Sequence, residues 1–182
     1  NYLRYMDFYK LIAKGYNELY GEEQRIKHRI IKESLGIKNT DLLLDVGCGT
    51  GLADFNCRVI GIDPSIELLQ QNNNNQNNYN INAQKSSISG TNFVGNKIQA
   101  KAENLPFKDN TFDKVISVTS MHNFDNIEKS IKEIKRVGKK DFAFSILKKS
   151  NKFGFIEKTI KKNFNVKKII DGKKDWIFIC NT

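Results

Sequence analysis

The chain predicts an α/β fold: an α/β/α sandwich, doubly wound around a seven-stranded sheet whose last strand runs antiparallel, with extra helices at the N-terminus. Three observations carry this expectation. A short run, apolar but for Asp45, from Leu42 to Val46 ends in the glycine-rich segment Gly47-Cys48-Gly49-Thr50-Gly51, as a central strand buried on both faces would. Strand-like and helix-like stretches then alternate, which implies parallel strands joined by crossover helices. The last two strand-like stretches are separated by Asp171-Gly172-Lys173-Lys174, whose Asp-Gly pair is a hairpin signal, so the final strand reverses direction.

The elements follow in order. Leu3, Met6, Leu11 and Ile12, then Ile26, Ile30, Ile31 and Leu35, recur at helical spacing and predict two helices broken near Gly21, the second ending at Gly36. Arg58 to Asp63 forms the second strand, and Ser65 caps a short helix from Ile66 to Gln71. Residues 72–96 begin with an asparagine tract and stay polar. Such composition buries too little apolar surface to offset its ordering entropy, so this stretch is expected to be a surface insertion. Lys97 to Lys101 is the third strand and Phe112 to Val118 the fourth. Ile127, Ile131, Ile134 and Val137 give the next helix its buried stripe. Asp141 to Leu147 is the fifth strand, Phe155 to Asn163 a helix, and Asn165 to Ile170 with Asp175 to Cys180 the closing pair. Phe142, Phe144, Trp176 and Phe178 alternate along strands and are expected in the core.

A chain of 182 residues with 39% apolar content can enclose one core, so residues 1–182 are expected to form a single domain. The longest apolar stretch falls short of the roughly 18 residues that a membrane span needs. With no secretory pattern at the start, a cytoplasmic location is expected. Three cysteines without metal-ligand spacing argue against disulfides and against a metal site. The formal charge of +10 is nearly all lysine, and Lys139 to Thr182 holds twelve lysines against four acids. A basic surface of this kind gains affinity for RNA by releasing counterions, while the lysine and asparagine bias of the whole chain gives the same charge without function.

Chemistry concentrates at the glycine loop. Gly47, Gly49 and Gly51 let the backbone turn and approach a ligand closely. Asp45 stands before the first glycine, where it would repel a pyrophosphate and favour a cationic ligand. The third glycine follows after one residue, so the spacing departs from the dinucleotide pattern. Asp63, at the end of the second strand, offers a carboxylate that can accept both hydroxyls of a ribose.

These residues resemble the class I S-adenosylmethionine-dependent methyltransferases, whose fold is Rossmann-like. Leu43 to Gly51 looks like the family's first motif and Val59 to Ser65 like its second-strand motif. Ala102-Glu103-Asn104-Leu105-Pro106-Phe107, continuing into Val115-Ile116-Ser117, is similar to the adenine-contacting stretch of the ubiquinone/menaquinone-type subgroup. Tyr9, Ala13, Tyr16 and Asn17 resemble that subgroup's lid helix, which would make residues 1–36 a helical lid. The resemblance implies S-adenosyl-L-methionine as cofactor and S-adenosyl-L-homocysteine as product. It implies that Asp45 and the backbone of Gly47, Cys48, Gly49, Thr50 and Gly51 hold the methionine end, and that Asp63, with Pro64 and Ser65, holds the ribose. Ala102 and Glu103 would meet the adenine, Ser117 would line the methyl-donor channel, and Tyr16 would close over it. The family's pattern has an Asp that accepts from the adenine amino group at the position of Lys101.

His122, in Ser120-Met121-His122-Asn123 past the fourth strand, stands where a base for the acceptor's proton would act. Ser120 to Asn123 also lacks the Asn/Asp-Pro-Pro-aromatic tetrad of amide- and adenine-amino-modifying relatives. His28, among Arg25, Lys27 and Arg29, is expected at the surface. The methyl acceptor is either a small molecule held under the N-terminal helices or tRNA or rRNA on the basic C-terminal quarter. The alternative is a non-catalytic S-adenosylmethionine-binding subunit supporting a partner enzyme; a nicotinamide oxidoreductase is disfavoured by the loop spacing.

Overall fold

The computed structural model describes residues 16–51, 53, 55–71, 93–94 and 96–182; Tyr9, Ala13 and the Asn-rich tract 72–92 lie outside the described residues. Helix α1 spans Tyr16–Leu35, and strands β1 (Leu42–Val46) and β2 (Arg58–Asp63) follow. After them come the one-turn helix α2 (Ile66–Leu69) and strands β3 (Phe93–Val94), β4 (Lys97–Gln99) and β5 (Phe112–Val118). A 3-10 turn at Met121–Asn123 leads to α3 (Ile127–Val137), β6 (Gly138–Leu147), α4 (Phe153–Asn163), β7 (Asn165–Asp171) and β8 (Asp175–Asn181).

The strands form one sheet in the order β3-β4-β2-β1-β5-β6-β8-β7. Strands β4, β2, β1, β5 and β6 are parallel, and β8 lies antiparallel between β6 and β7. The seven expected strands are therefore present in their expected senses. An eighth, the two-residue β3, pairs antiparallel with β4 at the edge and falls inside the stretch expected as polar insertion. Two residues are too few to show a period-2 pattern.

Both faces of the sheet are covered. Ile131, Ile134, Ile156 and Ile160 from α3 and α4 pack with Leu44, Val115, Phe142 and Phe144 on one face. On the other, Ile31 and Leu35 of α1 pack with Leu43, Ile116, Ala143 and Ile179. Neighbouring strand residues thus point to opposite cores, which is why β1 and β5 read as apolar runs rather than alternations. Phe142, Phe144 and Phe178 are buried as expected, with Phe164 tilted against the first two rings at 4.6 and 5.2 Å.

Capping chemistry sets the helix starts. Ser65 Oγ accepts from Leu68 N, and Asn126 Oδ1 accepts from Lys129 N, each satisfying an amide that the first helical turn leaves free. Helix α3 then runs straight into β6 at Gly138, where an added Cβ would come within 2.4 Å of the Phe142 ring.

Helix α1 corrects two expectations. It continues through Gly21 without a break, because packing along its length outweighs the roughly 1 kcal/mol that an interior glycine costs. Its buried stripe is also rotated from the one expected: Ile26 is 49% exposed, whereas Lys27 and His28 are buried with Ile31 and Leu35. His28 is therefore not a surface residue. Its ring lies 5.4 Å from that of Phe55, and burial pulls its pKa down to about 4, so it packs as a neutral ring.

Candidate cofactor site

The carboxyl ends of β1 and β2 carry the site. Gly47 N and Cys48 N both donate to Ile62 O, at 2.8 and 2.9 Å, so the glycine loop is fastened to β2 as soon as it leaves β1. Gly47 has φ +80°, and a Cβ there would sit 2.5 Å from Ser120 Cβ and 2.6 Å from Ser120 Oγ. Glycine is thus required twice over, by dihedral and by space. Ser120 Oγ donates to Val46 O at 3.0 Å and lies 2.7 Å from Ser117 Oγ. The hydroxyl facing the cleft belongs to Ser120; Ser117, the expected residue, lies fully buried behind it.

Two acids are buried beside this loop. Asp63 is 3% exposed and accepts from Gly49 N at 3.0 Å through Oδ2 and from Ser65 N at 2.9 Å through Oδ1. It therefore shapes the loop, while each oxygen keeps a second lone pair. Burial lifts its pKa to about 6 against the lowering effect of those amide bonds. Asp45 is equally buried, and its Oδ1 has no hydrogen-bond partner. Burial, then the nearby Asp63 charge, pushes its pKa up to about 7. A buried carboxylate oxygen left unpaired is costly, and a cationic donor at that position removes the cost. The same two acids would repel a phosphate.

The cleft beside Asp63 is open to solvent, spans about 400 Å³, and brings together Gly47, Asp63, Pro64, Ala102 and Glu103 from the expected set, whereas Asp45 is not part of its lining. Cys48 is half-buried; burial and both acids push its thiol up, so it stays protonated. Thr50 is buried and its carbonyl accepts from Lys97 Nζ at 3.1 Å. Gly51 N donates back to Cys48 O, closing the turn. Ser65 is occupied as the cap of α2. Tyr16 opens α1, but its side chain lies outside the described residues.

The cleft adds Phe124 and Asp125, which sequence reasoning did not single out. Lys101 Nζ pairs with Asp125 Oδ2 at 3.0 Å, and both line the cleft with Asn123 and Phe124. An acidic group is thus present in the cleft, carried by Asp125 in place of the residue that Lys101 replaces. Lys97 was also passed over; it braces the glycine loop from β4, and only the parallel pairing of β4 with β2 puts it there.

His122 lies apart from this cleft's lining. Its Nδ1 is buried without a partner, and its carbonyl accepts from Lys152 Nζ at 2.8 Å. Burial, followed by the Lys152 charge, holds its pKa below the usual histidine value, with Asp175 opposing. The charges of Lys27 and Asp175, which meet Thr119 at the carboxyl end of β5, also act on His122. Thr119 has φ +55°, uncommon for a β-branched residue; its N donates to Ser145 O and its Oγ1 accepts from Lys27 Nζ at 2.8 Å.

Residues 44–146, more than half of the chain, match the methyltransferase domain family. The chain belongs to the class I S-adenosylmethionine-dependent methyltransferases. An uncharacterized protein of Methanocaldococcus jannaschii is 30% identical over 92% of this chain and 66% of its own length. The ubiquinone/menaquinone biosynthesis C-methyltransferase of Haemophilus ducreyi is 30% identical over 62% of this chain, which spans only 43% of that relative. The structure of magnesium protoporphyrin IX methyltransferase from Synechocystis, solved with bound S-adenosylmethionine, superposes with a TM-score of 0.67. It covers 99% of this chain and 96% of its own at 17% identity, which establishes a shared fold. The methyltransferase fold is thus retained here with a first crossover, residues 51–57, that shows no helix among its described residues. Among the described residues there is no cluster of metal-ligating side chains and no helix long and apolar enough to cross a membrane.

Proposed function

We propose that this chain binds S-adenosyl-L-methionine in the cleft between the glycine loop and Ala102, and transfers its methyl group to a small acceptor held beneath α1. The observation that carries this reading is the unpaired, buried Oδ1 of Asp45 behind a glycine loop that Asp63 holds in shape. A ligand with an ammonium beside a ribose satisfies both acids, whereas a dinucleotide would place phosphate charge against them.

When bound, the cofactor supplies a methyl group already activated on a sulfonium. The chain's own work is to bind, orient and exclude water. In this reading Asp45 accepts from the ammonium, and Asp63 accepts from the ribose hydroxyls with the lone pairs left after Gly49 and Ser65. The Ala102 amide, with Glu103 anchored on Asn126 N at 3.0 Å, meets the adenine. His122, whose pKa burial holds below the usual histidine value, is the group proposed to take the acceptor's proton. A small acceptor is favoured because α1 is pinned over the carboxyl ends of β5 and β6 by Lys27. Several lysines of the basic quarter are also already paired, Lys139 with Asp113, Lys161 with Glu157 and Lys174 with Glu23.

Calorimetry with S-adenosylmethionine, S-adenosylhomocysteine and NAD tests the cofactor. Binding of the first two and not of NAD is expected, and Asp63→Ala should lose most of the affinity. Absence of binding to either sulfur compound would overturn the proposal. Retention of RNA by the protein with a steep loss on raising salt would replace the small acceptor by a nucleic acid.

A further inference from the structure

The loop that carries Ala102 and Glu103 has little regular structure of its own. Between β4 and β5 it runs through turns, and its position depends on what fastens it. The fastening comes from one guanidinium in the last turn of α3. Arg136 Nε donates to Glu133 Oε1 at 2.8 Å. Its Nη1 donates to Phe107 O at 2.7 Å and Asp109 Oδ1 at 2.8 Å; its Nη2 donates to Leu105 O at 3.0 Å and Glu133 Oε2 at 2.8 Å. All five N–H donors of the side chain are thereby used, three of them on the loop.

The loop is fastened from the other direction as well. Glu133 Oε2 accepts from Leu105 N at 2.9 Å, and the Arg136 carbonyl accepts from Asn110 N at 2.9 Å. Pro106 lies between the two carbonyls that face the guanidinium. It has no N–H to satisfy and a fixed φ, which presents Leu105 O and Phe107 O toward one planar fork. Phe107 is locked edge-on to Phe112 at 4.8 Å, so the segment is held by packing beneath and by charge at its side. The Glu133 carboxyl is held below its usual range, the Arg136 bonds being the largest cause.

We infer that Arg136, braced by Glu133, is the positioning residue that sets the Leu105–Asp109 segment and so holds Ala102 and Glu103 at the adenine side of the cofactor cleft. This rests on the cofactor reading proposed above. Arg136 is not part of the cleft's lining and acts only through the loop. A planar, five-donor group is needed: a lysine at 136 keeps the charge but cannot bridge two carbonyls and two carboxylates together.

The test is calorimetric titration with two ligands, S-adenosylhomocysteine and 5′-methylthioadenosine, the latter having the adenosine without the amino-acid end. Wild type is compared with Arg136→Lys, Arg136→Gln and Glu133→Gln, at temperatures where each is shown to be folded by its unfolding curve. Because the effect lies on the adenine side, affinity for both ligands should fall by the same factor, about tenfold or more in the Arg136 variants and less in Glu133→Gln. A variant that merely loosened the fold would lower the unfolding temperature and leave the affinity of its folded population alone. Folded variants that bind both ligands as wild type does, or that lose only S-adenosylhomocysteine, overturn the inference. Wild type that binds neither ligand overturns the cofactor reading itself, and the two failures are thereby told apart. Should Arg136→Gln not fold, Glu133→Gln decides by the same comparison.

Discussion

Lys27 of α1 and Asp175 of β8 form an ion pair 2.5 Å long from which water is almost wholly excluded. The lysine reaches Glu23 Oε1 and Thr119 Oγ1 as well, both at 2.8 Å, and Thr119 donates to Asp175 Oδ1 at 3.2 Å. One buried ammonium thus joins the first described helix, the turn after β5 and the antiparallel strand. Removing one member of such a pair leaves a buried charge uncompensated. Lys27→Met and Asp175→Asn should each lower stability by roughly 3–5 kcal/mol. Denaturant unfolding measures this, and a loss under about 1 kcal/mol would show that the pair is hydrated.

The two acids beside the glycine loop should make stability and ligand binding move oppositely with pH. Asp45 and Asp63 have pKa values raised to about 7 and 6, so between about pH 4 and 7 the folded protein holds protons that the unfolded chain has released. Their contribution is complete below the ordinary carboxylate range and is lost as pH rises through those values. The ligand-free protein should therefore lose more stability between pH 5 and pH 8 than its Asp45→Asn variant does. Thermal unfolding of both across that range checks it; parallel curves would refute it.

An ammonium ligand needs Asp45 ionised. Affinity for S-adenosylhomocysteine should rise from pH 6 to pH 8, and Asp45→Asn should be weaker and rise less over the same interval. An equal rise in the variant would move the titrating group elsewhere.

Gly47→Ala places a Cβ against Ser120 at a φ that alanine resists. Together these should cost at least about 1–3 kcal/mol of stability and most of the cofactor affinity. Ser120→Ala added to it should not help, because the clashing Cβ remains, whereas Ser120→Gly should restore part of the stability. Equal behaviour of the two double variants would place the conflict at the dihedral alone.

His122 should be neutral at pH 7, with an NMR titration midpoint below the ordinary 6.5. Burial is the main cause and the Lys152 charge the next, so Lys152→Met should raise the midpoint. A midpoint that stays or falls would mean that Lys152 acts only through its bond to the His122 carbonyl.

What could be read in the chain was what neighbouring residues decide among themselves. Leu42 to Gly51 declares a buried strand and a tight loop, Ser65 declares a cap, and Asp171-Gly172 declares a reversal, closed by Gly172 N donating to Asp175 O. What escaped depends on partners distant in sequence. Lys27 reads as a solvated lysine until Asp175 is brought beneath α1, and with it the helix turns its Ile26 outward. Ser117 and Ser120 are indistinguishable as hydroxyls until Gly47 comes into contact with one of them. Arg136 reads as one more helix-terminal charge until Leu105 and Phe107 turn their carbonyls toward it.

Strand β8 separates β6 from β7 although it follows both in the chain. As the polypeptide emerges during synthesis, β7 finds no strand beside which it can lie, and the exposed edge of β6 stays vacant until β8 arrives to fill it. Everything from β4 to β5, with the glycine loop and both acids, has by then been made. Maturation is therefore expected to be staggered: the strands around the glycine loop can pair early, and the opposite half waits for its wedge.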